Sequence, residues 1–180
     1  MKLRWLAAMV LFASSPFALY AGAVAGGVHL AVPMVKQSRE KCGPAALEMV
    51  LRYYGAGSDA IAHAASAYDP VLRGSLITDL AASARRAGYD ATIVTISADS
   101  LAGLLAEGIP PILLYQNGRG PLTVRHFGVV RGWDPDQEQY TLNDGGARPR
   151  HVSRSELERR WRTAGGQTLV IRRRVPESDR

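Results

Sequence analysis

Residues 32–55 read VPMVKQSREKCGPAALEMVLRYYG, and they decide the fold. Pro44 suits a first helical turn, where its missing N–H is no loss. Leu47, Val50, Leu51 and Tyr54 then recur at the i, i+3, i+4, i+7 spacing of one buried helical face. Gly55 and Gly57 stop the helix. It therefore begins at Cys42-Gly43-Pro44, which puts a thiol at the helix N-terminus. Unsatisfied N–H groups and the helix dipole stabilise an anion there, and the thiolate is the reactive form of cysteine.

Upstream of this stretch lies a segment of different character. Lys2 and Arg4 precede an apolar run from Leu6 to about Ala25, broken by Ser14, Ser15 and Pro16. Ala23-Val24-Ala25 fits the small-x-small pattern of a signal-peptidase site. Residues 1–25 are expected to be a secretory signal cut after Ala25, with an uncleaved membrane anchor as the alternative. The protein is thus expected outside the cytoplasm, in the periplasm, or held on a membrane facing it. Gly26 to Val35 reads as a linker, and residues 26–180 as one domain. Cys42 is the only cysteine, so no internal disulfide can form. A lone thiol in an oxidising compartment is a chemical liability that calls for a reason.

Downstream, Ser58 to Ala67 and Ser75 to Ala87 read as helices, the second with Leu76, Leu80 and Ala84 on one side and Gly88 as its stop. Ala91 to Ile96 is strand-like, Leu101 to Glu107 helical, and Pro111 to Gln116 a short apolar strand closed by Asn117-Gly118. Leu122 to Trp133 and Tyr140 to Asp144 form a strand pair about the turn Asp134-Pro135-Asp136. Ser153 and Glu156 match a capping box opening a helix through Trp161, and Thr168 to Ile171 is a final strand. Helices come first and antiparallel strands dominate later, an α+β pattern.

Composition excludes several classes. Hydrophobic residues are 47% and charged residues 21%, the balance of a globular domain and not of a disordered or multi-span chain. The net charge is +6, but the late arginines, from Arg148 and Arg150 to Arg174, are interleaved with Glu156 and Glu158. They read as a solvated face, and no nucleic-acid partner is expected. No two histidines stand at ligand spacing, so no metal and no cofactor are expected.

A nucleophilic thiol needs a base, a group that orients the base, and donors for the oxyanion. Of the four histidines, His29 lies near the expected cleavage site, His63 in an alanine-rich helix and His151 after a glycine turn. His126 stands in a strand, alternating with Phe127. If the chain reverses about Pro135, His126 falls opposite Asp144, where Cβ atoms about 5 Å apart would let a carboxylate orient the imidazole. A slip of one residue would present Asn143 instead, and either type can serve. Gln37, in the loop before the helix, can reach back to donate to an oxyanion alongside the Cys42 N–H.

The stretch around Cys42 closely resembles the first motif of bacteriocin-processing, double-glycine-type cysteine peptidases, which are papain-like enzymes. GSLITDLAASARRAGYDA (74–91), AEGIPPILLYQ (106–116), RHFGVVRGWD (125–134) and YTLNDG (140–145) also resemble that family, in the same order. The resemblance implies a papain-like fold with N-terminal helices packed on a mainly antiparallel sheet that carries the histidine and the aspartate. It implies Cys42 as nucleophile, His126 as base, Asp144 as orienter and Gln37 as oxyanion donor. It departs from the pattern after the acid, where proline is frequent and Gly145 stands here. No GxxxxGK[ST] motif and no second long apolar segment are present, so the chain is similar to the free-standing exported branch and not to transporter-fused members.

The expected function is cleavage of a peptide bond in an exported protein or peptide, with membrane contact only through an unprocessed N-terminal segment. Two rivals share these residues. One is an idle peptide-binding or chaperone module of the same fold, which a thiol-reactive peptide probe would leave unlabelled. The other is a transpeptidase that passes the acyl group to an amine.

Overall fold

A computed structural model describes residues 27–38, 40–118, 120 and 122–174. The expected signal, residues 1–25, lies outside the described residues. In chain order the elements are β1 (Val28–His29), α1 (Cys42–Tyr53), α2 (Ser58–Ala65), α3 (Ile77–Arg86), β2 (Tyr89–Thr95), α4 (Ala98–Ala106), β3 (Ile112–Asn117), β4 (Val124–Asp134), β5 (Gln139–Asn143), β6 (Arg150–Ser153), α5 (Arg154–Thr163) and β7 (Gln167–Arg173). Among the described residues no helix is long and apolar enough to cross a membrane.

The strands form one sheet in the order β2-β7-β3-β4-β5-β6, antiparallel at each pairing. β4 is long enough to serve two neighbours on one edge. Its first half pairs with β3, and its last residues take β1, Val28 opposite Trp133 and His29 opposite Gly132. The segment expected to be a mere linker is therefore stitched to the sheet, and its Val32 is buried.

Successive strand residues point to opposite faces, and each face carries its own core. Ile112, Phe127, Val129, Leu169 and Ile171 pack with α1 to α3. Leu113, Tyr115, Val130, Tyr140 and Leu142 pack with α4 and α5. Eight of the twelve residues of α1 are buried, more than the single expected face. Leu47, Val50 and Leu51 lie inside as expected, Met49 and Ala46 join them, and the Tyr54 hydroxyl donates to the Ile171 carbonyl at 2.8 Å. Each such aliphatic side chain contributes about 1.5–3 kcal/mol by burial, so the element that carries Cys42 is among the most firmly seated in the molecule.

The Ser153 cap stands as expected, its Oγ accepting from Glu156 N at 3.3 Å. Leu76 does not lie with Leu80 and Ala84. It is the N-cap of α3, 52% exposed, and Ile77 takes the buried place.

The β4–β5 register corrects the expected pairing. Val129 faces Asn143, and Asp134 faces Gln139 across a loop of residues 135–138. Asp134 Oδ1 accepts from the N–H groups of Asp136 and Gln137, and Glu138 takes a positive φ of 47°, so the reversal is wider than a turn centred on Pro135. An irregularity between Val130 and Gly132 then shifts the ladder once more. Neither Asp144 nor Asn143 lies opposite His126. Asn143 turns its amide to the Val32 and Pro33 carbonyls, at 3.1 and 3.5 Å.

Candidate active site

Cys42 is the first residue of α1. Lys41 caps the helix without a side-chain hydrogen bond, and the first turn holds no acidic residue. The positive end of the helix is thus left to the thiol. Gly43 is required beside it: a Cβ there would lie 2.7 Å from Ser75 Oγ and 3.0 Å from Leu80 Cδ1.

The strand side of the site comes from β4. Its His126 is 8% exposed and lies near enough to the Cys42 thiol for each group to shift the pKa of the other. Burial by itself would raise the Cys42 pKa. The His126 hydrogen bond, the Phe127 main-chain N–H, the imidazole charge and the Gly43 N–H together outweigh it and lower the pKa from its ordinary 9.0. For His126 burial works the other way and would lower the pKa. The thiol hydrogen bond, the thiolate charge, the Asp144 carbonyl and the Asp144 carboxylate prevail, and the pKa rises from 6.5. The two opposite shifts favour a thiolate facing an imidazolium.

Asp144 reaches His126 by an unexpected part of itself. His126 Nε2 bonds the main-chain carbonyl oxygen of Asp144 at 2.9 Å. The carboxylate turns elsewhere, with Oδ2 accepting from the Tyr115 hydroxyl at 3.4 Å and lying 3.3 Å from Arg150 Nε. That last pair is close enough for an ionic attraction, although its N–H does not point along the line. Tyr115 is fully buried, and burial first of all pushes its phenol pKa up, so the hydroxyl stays a donor. Its ring meets the imidazole edge-on, centroids 5.6 Å apart at 81°. Gly128 makes room for it, since a Cβ there would stand 3.0 Å from Tyr115 Cε1.

Gln37 is half-buried, its side chain laid directly on Gly145. A Cβ on Gly145 would meet Gln37 Cγ at 2.5 Å and Oε1 at 2.6 Å, and the backbone there has φ +79°. Both features exclude a proline at this position. Gln37, Lys41, Pro44 and Ala45 also line a groove of about 350 Å³, together with Ile61 and Ala65 of α2.

All four expected residues thus come from the segments that meet at this end of the sheet. The other histidines do not join them. His29 and His151 line a separate hollow with Trp133 and Thr141, and His63 sits in α2. Arg150 was expected on a solvated face, yet it is only 32% exposed and paired to Asp144. Arg160 is 14% exposed. The signal that could have found Arg150 is β6 itself, a four-residue strand hidden after Gly145 and Gly146.

Residues 29–169 match the Peptidase_C39 like family. No curated protein sequence matches the chain. Among solved structures, one similar to it is a double glycine motif protease from an AMS/PCAT transporter in complex with the leader peptide. The two are 21% identical with a TM-score of 0.64, over 84% of this chain and 96% of that one. The peptidase domain of Streptococcus ComA, a bifunctional ABC transporter involved in a quorum sensing pathway, is 18% identical with a TM-score of 0.64, over 79% and 99%. A protein described as a C39-like peptidase from Bacillus anthracis is 18% identical with a TM-score of 0.65, over 82% and 98%. At these identities the likeness is one of fold, the papain-like α+β arrangement of helices on a mainly antiparallel sheet. The match over residues 29–169 goes further: the chain belongs to the Peptidase_C39 like family and is a cysteine-type peptidase, a hydrolase.

Proposed function

We propose that Cys42 is the nucleophile and His126 the base of an exported peptidase that cleaves peptide bonds in an exported protein or peptide. The observation that carries this reading is a thiol at the first residue of a helix with no side-chain cap, beside a buried imidazole that the Asp144 carbonyl holds at 2.9 Å. The thiolate attacks the scissile carbonyl, and the oxyanion is met by the Gln37 amide and the Cys42 N–H. His126 passes its proton to the leaving amine, and the carbonyl–nitrogen bond breaks. Water, deprotonated by the same imidazole, then clears the thioester. Asp144 orients His126 through its main-chain carbonyl, while its carboxylate adds to the charge that favours the imidazolium.

A peptide substrate is supported by the related protease that was solved with a leader peptide bound. The groove beside Gln37 and Pro44 offers a place for residues next to the scissile bond. Action outside the cytoplasm is supported by the character of residues 1–25.

The test is a peptide aldehyde or chloromethyl ketone probe, followed by mass spectrometry of the protein and of peptide products with and without an added amine. Labelling at Cys42 and hydrolysis products are expected, and Cys42→Ala should abolish both. Absence of labelling would favour the idle module, and amine-linked products the transpeptidase.

A further inference from the structure

The two halves of Asp144 face different partners, and one side chain is responsible for the division. Arg150 enters from β6, opposite Leu142 of β5. Its Nε lies 3.3 Å from Asp144 Oδ2. Its Nη2 donates to the Tyr115 hydroxyl at 2.8 Å, and its Nη1 to Asn117 Oδ1 at 3.1 Å. The guanidinium also lies over the Tyr115 ring, 5.3 Å from its centroid. Tyr115 in turn donates to Asp144 Oδ2 and sets its ring against the imidazole.

An exposed ion pair would contribute little. This pair differs in two ways. The Asp144 side chain is only 14% exposed, and a single planar guanidinium engages Asp144, Tyr115 and Asn117 together. A fork of fixed geometry can hold two acceptors and a facing carboxylate in relation to one another, which a flexible ammonium cannot.

We propose that Arg150 is a positioning residue: it draws the Asp144 carboxylate against Tyr115, leaving the main-chain carbonyl of Asp144 as the acceptor for His126 Nε2. The inference rests on reading Cys42 and His126 as the reacting pair. Its consequence is chemical. The charged groups that bear on the imidazole are the Cys42 thiol of α1 and the Asp144 carboxylate, with Tyr115 of β3 and Arg150 of β6 acting on that carboxylate. Without Arg150 the carboxylate loses its counter-charge and is free to turn toward Nε2. A charged acceptor then replaces a neutral one and holds the imidazolium more tightly. An imidazolium held too tightly gives up its proton to the leaving amine less readily.

The experiment uses Arg150→Met, Asp144→Asn and the double variant of the whole folded protein. The His126 Cε1–H resonance is followed across pH, with thermal stability and peptide kinetics measured beside it. Arg150→Met should move the His126 titration to higher pH. It should lower kcat on the order of 10-fold, part of the ~100-fold or more that a positioned acid–base group contributes, with KM little changed. In the Asp144→Asn background the same substitution should leave the titration where it was. Arg150→Lys should restore only part of the rate, and Arg150→Gln replaces the Met variant if that one fails to fold. The proposal is overturned if Arg150→Met lowers thermal stability while the His126 titration stays put. It is equally overturned if the shift survives undiminished in the Asp144→Asn background, since the lost positive charge alone would then explain it. The titration is read whether or not any peptide is cut. A shift with no cleavage by the unsubstituted protein would sink the peptidase reading and leave this one standing.

Discussion

Gly145→Ala should injure catalysis while sparing the thiol. The methyl group it adds would lie 2.5 Å from Gln37 Cγ and 2.6 Å from Gln37 Oε1. Carbon atoms rest about 3.5–4.0 Å apart, so the Gln37 side chain must retreat by roughly 1 Å. The left-handed backbone at φ +79° adds about 1–2 kcal/mol for any residue with a Cβ. Overpacking adds about 1–3 kcal/mol, toward the lower end because Gln37 is half-exposed and can give way. The total falls short of the ~5–15 kcal/mol that holds a domain together, so the variant should fold with a lowered Tm. A misplacement of ~1 Å in a positioned group costs on the order of 100-fold in rate. Complete loss of an oxyanion donor costs about 100- to 1000-fold. Turnover of a peptide should therefore fall on the order of 100-fold, toward the level of Gln37→Ala. Alkylation of Cys42 by iodoacetamide should be unchanged in both variants, because alkylation develops no oxyanion. Undiminished turnover in a folded Gly145→Ala protein would mean that Gln37 is a loop residue with no part in the reaction.

Three further outcomes are expected. Cys42 labelling by iodoacetamide should stay fast from about pH 8 to about pH 6. The sign follows from the two shifts. The thiolate persists below 9.0 until pH falls through the lowered Cys42 value, and the imidazolium persists above 6.5 until pH rises through the raised His126 value. A labelling rate that tracks an ordinary thiol would contradict the pairing. Asp144→Asn should lower turnover and Asp144→Ala should lower it further. Both keep the main-chain carbonyl, but only alanine gives up every contact to Tyr115 and Arg150, and a silent alanine would remove the side chain from the mechanism. N-terminal sequencing of the protein recovered outside the cytoplasm should begin near Gly26, and a sequence that still reads Met1 in membrane fractions would favour the anchor.

What was legible in the sequence was local. Pro44, the spacing of Leu47, Val50 and Leu51, and Gly55 lie within a few turns of one another, and they fix α1 and the place of Cys42 without help from the rest of the chain. Ser153 and Glu156 fix the start of α5 in the same way. The register of β4 on β5 was not legible. It depends on the Asp134 side chain tying up two N–H groups and on the ladder shifting near Arg131, whose guanidinium bonds the Leu30 carbonyl at 3.0 Å. Leu30 is remote in sequence, so no local pattern announces that contact. His126 meets the main-chain carbonyl of Asp144 and not the carboxylate that residue type suggests, because only the path of the chain past β5 delivers that carbonyl. Arg150 looked like one more solvated arginine, since a four-residue strand after two glycines leaves almost no alternation to read.

The stitching of the first described residues to the late strands bears on the order in which the molecule becomes dangerous. Asn143 holds Val32 across 111 residues of chain, and Tyr54 holds Ile171 across 117. A chain made from its N-terminus presents α1 early, yet the core under it waits for Phe127, Val129, Leu169 and Ile171. Contacts this distant close late and slowly in folding. Until β4 arrives, Cys42 has neither the imidazole nor the Phe127 N–H that depress its pKa. The nascent protein therefore carries an ordinary, sluggish thiol, and the surroundings that lower its pKa are assembled only when nearly the whole chain is in place.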